Sequence, residues 1–227
     1  MKGSLLLAAF TLCMAFTAKA KDIMLTEQNF CSLEGPVTRQ SVNELKICLT
    51  EQVTKRGLRP YPIYIYLHSP GGSVYSGLKF IEYAKNFNNV HTITSYAASM
   101  AAGIVEHLPG KRYITPSGIM MFHRARGSVK GQLETGELEK RLAFWKKIIR
   151  GMEKKQANRI GITLREYKKR IKDEWWLYSE DSIKANASDE IANVTCTKKL
   201  SKIKVKRKVL SFFGTRETEV YKCPVLN

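Results

Sequence analysis

Short apolar segments alternate with helical patterns along most of the chain, and this alternation limits the fold more than any other feature. Residues 61–67 are rich in aromatic and β-branched side chains, as in a buried strand. A Gly-containing turn at 68–73 follows, and from Val74 the apolar residues return at helical spacing. Further strand patterns lie at 91–96, 111–116 and 118–125. Repeated strand–turn–helix units predict an α/β fold with a largely parallel sheet.

Residues 1–20 have the organisation of a secretory signal peptide. Lys2 precedes an apolar stretch from Leu5 to Phe16, and Ala18-Lys19-Ala20 supplies the small residues of a cleavage site. A membrane anchor is the alternative, but the apolar stretch is shorter than the ~20 residues that a spanning helix needs. We therefore predict that this segment is removed and that the mature chain is extracytoplasmic, in a bacterial periplasm or secreted.

Four cysteines remain once the predicted signal peptide is gone: Cys31, Cys48, Cys196 and Cys223. In an exported chain these could form two disulfides, and the sequence allows three pairings. We favour the near pairs, Cys31 with Cys48 and Cys196 with Cys223. The spacing contains no C-x-x-C motif, so we expect no metal site.

The chain is strongly basic, with a formal net charge of +18. This charge favours anionic partners, but no nucleic-acid-binding motif accompanies it, so we expect no nucleic acid. The tail at 193–227 reads as an extension of the main domain. Its segments 202–210 and 218–225 predict a basic β-hairpin, a candidate contact for an anionic partner, with three lysines on one face: Lys202, Lys204 and Lys206.

A long helix is predicted at 131–158, with an apolar stripe along one side. The stripe consists of Leu138, Leu142, Trp145, Ile149 and Met152. It would pack either on its own domain or on another subunit, and the pattern does not choose between them. Capping boxes are predicted at Ser41 with Glu44 and at Thr163 with Glu166.

Four separate segments contain residues suited to acyl-transfer chemistry. Gly71 and Gly72 lack the spacing and the lysine of a phosphate loop, but could bring backbone N–H groups close to a ligand. Ser99 stands at a predicted helix start, His123 on or after a strand, and Asp173 near the end of the domain. Individually these are typical of a tight turn, an N-cap, a structural histidine and a surface acid. Together they match a serine–histidine–acid arrangement.

The motifs that carry these residues resemble one enzyme family. "IYLHSPGGSVYSGL", "YAASMAAG" and "GKRYITPSGIMMFHRARG" occur in the order found in the proteolytic subunit of Clp protease. The resemblance covers about residues 25–192. It implies a serine peptidase domain at 21–192 with the ClpP/crotonase fold, in which ββα units repeat and a protruding handle helix, here 131–158, interlocks two heptameric rings.

The resemblance also implies roles for individual residues. Ser99 would be the nucleophile, His123 the general base and Asp173 the acid that orients the imidazole. The N–H groups of Gly72 and Met100 would form the oxyanion hole, and two further residues would contact the peptide or protein substrate: Gly71 and Ser73. No cofactor is implied. The acid-bearing segment contains an extra residue relative to the family, which leaves Asp181 as a weaker alternative.

Two departures from the family affect the expected function. Export would separate the chain from ATP and from an ATP-driven unfoldase, so we expect an ATP-independent peptidase. His68 stands where the family usually has asparagine, beside the turn, where it could alter the substrate cleft. Two alternatives remain open: a signal-peptide-peptidase-like enzyme with a Ser–Lys dyad, and a non-catalytic oligomeric binding protein on the same scaffold.

Overall fold

A computed structural model describes residues 20–57, 61–127, 134–211 and 214–226, so the predicted signal peptide lies outside it except for Ala20. The strands are β1 (Lys21–Leu25), β2 (Phe30–Glu34), β3 (Ile63–Ser69), β4 (Val90–Ala98), β5 (Arg112–Phe122), β6 (Trp175–Tyr178), β7 (Glu190–Cys196), β8 (Lys204–Ser211) and β9 (Gly214–Tyr221). The α-helices are α1 (Arg39–Arg56), α2 (Val74–Ala84), α3 (Met100–His107), α4 (Thr135–Ile160), α5 (Leu164–Arg170) and α6 (Glu180–Lys184).

Seven strands form one sheet in which nearly all neighbours are parallel. The order is β1-β7-β5-β4-β3-β2, and β6 pairs with β5 as the antiparallel exception. Strands β3, β4 and β5 are mostly buried, as expected for a sheet covered on both faces. The predicted α/β fold with a largely parallel sheet is therefore confirmed.

The central strand β5 differs from the sequence prediction, which expected two strands in its place. Before the break, Thr94 of β4 pairs with Ile114; after it, Tyr96 pairs with Ile119. Residues 115–118 form a bulge that β4 matches with Ser95 alone, and the strand resumes beyond it. A proline and two small residues look like a turn in sequence, but here they are accommodated as an irregularity within one strand.

Helices α1 and α5 each begin after a threonine whose side chain caps the first turn. Helix α1 is capped by Thr38, whose side chain accepts from the N–H of Ser41, while the Ser41 hydroxyl accepts from the N–H of Thr38. The predicted box of Ser41 with Glu44 was therefore wrong, because the helix begins three residues earlier. At α5, Thr163 accepts from the N–H of Glu166, which is half of the predicted box, while the Glu166 carboxylate accepts from Arg170.

Two disulfides connect the chain in the predicted pairs. Cys31 of β2 is bonded to Cys48 of α1, and Cys196 of β7 to Cys223. The second bond closes the base of the hairpin formed by β8 and β9. Lys202 lies in a short 3-10 turn before that hairpin rather than on its strand, and Glu219 is paired opposite Lys206.

The two halves of α4 have different surroundings. Near its C-terminal end Ala157 and Ile160 are buried and Met152 packs on the core. In its N-terminal half four large apolar side chains are exposed: Leu138, Leu142, Phe144 and Trp145. The C-terminal half thus packs on its own domain, while the other half offers an uncovered apolar face. Among the described helices, none combines the length and apolarity that a membrane crossing requires.

Candidate active site

Ser99 and His123 are brought together by neighbouring parallel strands. Ser99 follows the last residue of β4, and His123 follows the last residue of β5. Adjacent parallel strands end at the same edge of a sheet, so residues 24 positions apart in sequence become neighbours in space. The Ser99 Oγ lies 2.7 Å from the His123 Nε2, within hydrogen-bonding distance. An imidazole nitrogen in this position can accept the hydroxyl proton.

The backbone at Ser99 is strained. Its φ of 56° and ψ of −120° fall in a region that a non-glycine residue seldom adopts. Its N–H donates to the carbonyl of Met121, which fixes the turn against β5. Although Ser99 precedes α3, its side chain makes no capping hydrogen bond. The hydroxyl is therefore presented to His123 by a tight strand-to-helix turn, as expected of a nucleophile rather than an N-cap.

The Gly71–Gly72 turn packs directly against the Ser99 turn. Gly71 has a φ of +87°, and a Cβ there would lie 2.5 Å from the Ala98 carbonyl oxygen and 2.8 Å from the Met100 nitrogen. Gly72 has a φ of +143°, and a Cβ there would lie 2.6 Å from the carbonyl oxygen of Val37. Glycine is required at both positions because the backbone conformation and the close approach each disfavour a side chain.

Two backbone N–H groups at this junction have no acceptor among the described residues. Val37 donates to the Gly71 carbonyl, and Ser73 donates to the Val37 carbonyl, but the N–H of Gly72 is left out of this exchange. The N–H of Met100 belongs to the first turn of α3, where helical N–H groups lack partners. Both N–H groups belong to residues that line the cleft beside Ser99, so they can stabilise negative charge there.

The residues predicted to contact or shape the substrate cleft, Ser73, Gly71 and His68, have other contacts in the structure. Ser73 caps α2, and its hydroxyl accepts from the N–H of Ser76 at 3.2 Å. Gly71 contacts the Ser99 turn rather than an open surface. His68 lies in a different cavity, where its Nδ1 is 3.3 Å from the Ser95 Oγ, so it does not line the cleft beside Ser99.

The predicted acids do not reach the histidine. The His123 Nδ1 is buried and has no hydrogen-bond partner in the described part of the chain. Asp173 therefore makes no bond to it and lies at the end of a 3-10 turn after α5. Asp181 is on α6, where it pairs with Lys184 at 3.7 Å. The role of Asp173 as orienting acid stays a prediction.

Glu174 is a candidate acid that the sequence reasoning did not single out, although it too makes no bond to the His123 Nδ1. In the β5–β6 pairing Phe122 is opposite Trp175, so continuing that register by one residue places Glu174 opposite His123. Glu174 has a φ of 69°, a strained conformation for a non-glycine residue. Its carboxylate accepts from Arg126 and from the Trp176 indole, each at 3.1 Å. The extra residue in the acid-bearing segment was the one sequence signal that pointed to this shift.

A cleft of about 100 Å³ opens beside Ser99 and His123. Its walls are mainly apolar: Val74, Met100, Phe122, Ile149 and Met152. Besides Ser99 and His123, four polar side chains line it: Arg126, Glu153, Gln156 and Tyr167. Burial raises the pKa of Tyr167 above its usual range, and its hydroxyl stays protonated and donates to the Gln156 Oε1 at 2.5 Å. An apolar cleft beside a serine–histidine pair suits a substrate side chain.

The chain is similar to known proteins of one enzyme family. Residues 17–194 match the family model described as Clp protease. An ATP-dependent Clp protease proteolytic subunit from Streptococcus mutans is 29% identical over 171 residues, which cover 74% of this chain and 86% of the relative. A protein of the same description from Streptococcus pyogenes is 30% identical over 133 residues, covering 57% of this chain and 67% of the relative. Since the family model spans most of the sequence, the chain belongs to the Clp protease family and is a protease.

Proposed function

We propose that this protein is a serine endopeptidase in which Ser99 attacks the peptide carbonyl. The observation that carries the proposal is the 2.7 Å contact between the Ser99 Oγ and the His123 Nε2. A serine hydroxyl is a poor nucleophile at neutral pH and needs such a base. The strained turn at Ser99 and the adjacent Gly71–Gly72 turn support the same role, because they direct the hydroxyl and free N–H groups toward one cleft.

The reaction follows from this arrangement. His123 takes the hydroxyl proton as Ser99 attacks, and the N–H groups of Gly72 and Met100 stabilise the oxyanion that forms. His123 then protonates the departing amine, which leaves an ester on Ser99. Water, deprotonated by the same imidazole, hydrolyses that ester and restores the serine. No cofactor takes part in these steps.

The test is covalent labelling with a fluorophosphonate probe, followed by peptide cleavage. We expect labelling of the wild-type protein and none of Ser99→Ala or His123→Ala. Labelling that survives His123→Ala but is lost in a lysine variant would support the Ser–Lys alternative. A protein that neither takes up the probe nor cleaves peptides, although folded and assembled, would support the non-catalytic alternative.

For the orienting acid we place Glu174 ahead of Asp173. A carboxylate bonded to the His123 Nδ1 would hold the ring in the tautomer that accepts at Nε2. We expect Glu174→Gln to lower kcat by roughly 100-fold or more and Asp173→Asn to change it only slightly. The reverse order in this pair of variants would return the role to Asp173.

We also propose that the peptidase acts outside the cytoplasm, without ATP. The support is the signal-like segment at residues 1–20 together with two disulfides, which persist in oxidising compartments. Fractionation of cells that express the full chain should recover the protein, shortened by that segment, outside the cytoplasm. The purified mature protein should cleave an unfolded protein equally well with and without ATP; dependence on added nucleotide would contradict the proposal.

We also propose assembly into rings, heptameric as the family resemblance implies. The exposed apolar residues of α4 support it, because such a patch on a long helix is typical of a subunit contact. Sedimentation velocity should show a large assembly for the wild type and smaller species for Leu142→Glu. If both proteins sediment as the same monomer, no such assembly exists.

The basic hairpin is proposed to contact an anionic partner. Lys204 and Lys206 are exposed on β8. The double variant Lys204→Glu/Lys206→Glu should bind anionic vesicles more weakly than the wild type, and the difference should shrink as salt is added. Equal retention at low salt would refute this contact.

A further inference from the structure

The cleft beside Ser99 contains a charged group that the peptidase reaction does not use. Glu153, on α4, lines this cleft together with Ser99 and His123, and its side chain is only 13% exposed. A carboxylate with so little access to water needs compensation by a cation or by hydrogen bonds. The nearest partner is the Lys168 ammonium, at 3.5 Å from the Glu153 Oε2.

The Lys168 ammonium can be replaced at Glu153 by the cation of another side chain. The distance of 3.5 Å is long for a charge-assisted hydrogen bond, and the Lys168 side chain is 46% exposed. The ammonium end of this pair is half-exposed, so Lys168 can move into solvent, provided that another cation takes its place beside the buried Glu153 carboxylate. The pair also demonstrates that a lysine ammonium fits beside this carboxylate.

The rest of the cleft suits the stem of a long cationic side chain. Val74, Phe122, Ile149 and Met152 provide apolar walls along which methylene groups can pack. Gln156 adds no charge, and its Oε1 already accepts from the Tyr167 hydroxyl. Arg126, which lines the cleft where Lys168 does not, already pairs with Glu174.

We propose that Glu153 makes the peptidase prefer lysine or arginine immediately before the cleaved bond. That residue carries the carbonyl which Ser99 attacks, so its side chain is the one placed at the cleft beside Ser99. Its methylenes would lie on the apolar walls and its charged end would replace Lys168 at Glu153. The preference rests on the proposed serine peptidase function and on the same cleft.

Cleavage of matched peptides tests the preference. The peptides differ only before the cleaved bond, where they carry lysine, norleucine or glutamate. For the wild type we expect kcat/KM to be about tenfold or more higher for lysine than for norleucine, and lowest for glutamate. Glu153→Gln should bring the lysine and norleucine values together, while Glu139→Gln, an exposed change on the same helix, should leave the ratio as it is.

A variant of Lys168 should change the lysine-to-norleucine ratio of kcat/KM in the opposite direction to Glu153→Gln. Because Lys168→Met removes the resident cation, it should increase the ratio of lysine to norleucine cleavage above that of the wild type. A residue with only a structural role would not strengthen this selectivity when its partner is lost. A lysine preference absent from the wild type, or unchanged in both Glu153→Gln and Lys168→Met, overturns the proposal.

Binding to the inactive variant separates this proposal from the function on which it rests. Calorimetry on Ser99→Ala compares product peptides that end in lysine or norleucine. Tighter binding of the lysine peptide supports the Glu153 site even if no peptide is ever cleaved, in which case the peptidase function alone fails. Equal or weaker binding of the lysine peptide overturns the Glu153 site, whatever the enzyme cleaves.

Discussion

In the described part of the chain, two strand-to-helix turns are built on a strained serine, and only one of them has the surroundings of a nucleophile. Ser99 joins β4 to α3 with φ and ψ of 56° and −120°, and Ser179 joins β6 to α6 with 32° and −100°. Neither side chain caps its helix. Both N–H groups donate to carbonyls of β5, Ser99 to that of Met121 and Ser179 to that of Gly118, each at 2.8 Å.

The difference lies in what surrounds each hydroxyl. Ser99 is half-buried, lines the cleft and has His123 at 2.7 Å. Ser179 is only 3% exposed, and its carbonyl accepts from the Ser182 hydroxyl at 2.6 Å. A sharp turn therefore presents a serine but does not activate it. Activation needs a base, an opening for substrate and unoccupied N–H donors.

Replacing each serine by alanine should give the sharpest contrast. We expect Ser99→Ala to lower kcat by ~10⁵-fold, because the nucleophile is lost, and Ser179→Ala to keep kcat within a few-fold of wild type. Peptide cleavage and circular dichroism on both variants provide the check. Loss of activity in folded Ser179→Ala would show that the two turns are not functionally distinct.

Gly71→Ala should distort the backbone turn at Ser99 while leaving the Ser99 hydroxyl in the chain. The added Cβ would lie 2.7 Å from the Ser99 Cβ and close to the Met100 N–H, so the oxyanion site must shift. We expect kcat to fall by roughly 100-fold or more. Gly127→Ala is the control, because nothing lies within 4 Å of its Cβ position. Equal activity in both variants would mean that the contact is not needed for catalysis.

The helices after the two turns should differ in their response to acid. All eight residues of α3 are buried, including His107, whose pKa burial lowers from 6.5 to about 4, with Lys85 and Lys155 contributing. Between these pH values the His107 imidazole binds a proton in the unfolded chain but not in the folded protein. The free energy of unfolding therefore falls as the pH drops. His107→Gln should remove up to roughly 3 kcal/mol of the decrease seen between pH 7 and pH 4.

Urea unfolding at the two pH values measures this effect. The matched control is Lys184→Gln, at the exposed end of α6, which should leave the pH dependence as in the wild type. If His107→Gln and the wild type lose the same stability on acidification, then His107 is protonated in the folded state as readily as in the unfolded one.

The smallest effect is expected at Ser73, a serine that caps rather than reacts. Its hydroxyl accepts from the N–H of Ser76, so Ser73→Ala should lower the free energy of unfolding by about 1 kcal/mol. Its kcat should stay close to wild type, since the Gly72 N–H is unaffected. A large loss of kcat with unchanged stability would instead support the predicted contact of Ser73 with substrate.

Much of this arrangement can be predicted from local sequence. The glycines of the 71–72 turn and the helix start after Ser99 each depend on a few adjacent residues, and the disulfides join cysteines that are 17 and 27 positions apart, the nearer of the possible pairs. Their physical causes, backbone freedom, apolar spacing and short loop length, are visible in the sequence.

Long-range pairing could not be predicted in the same way. Nothing local indicates that β6 runs antiparallel to β5, and it is this pairing that places Glu174 rather than Asp173 opposite His123. The predicted start of α1 was also wrong. Thr38 and Ser41 can both cap a helix, and the choice between them depends on how the preceding loop leads into the helix. The β5 bulge was read as a break between strands for a similar reason.

That bulge determines which part of the chain tolerates a change in length. Residues 115–118 are accommodated opposite Ser95, while the pairs Thr94–Ile114 and Tyr96–Ile119 fix the alignment of the strands on either side. Beyond it, Ala98 pairs with Met121, one and two residues short of Ser99 and His123 respectively. An insertion at 115–118 can therefore loop outward and leave the serine and histidine aligned. An insertion between Ile119 and His123 would instead shift the histidine away from the serine.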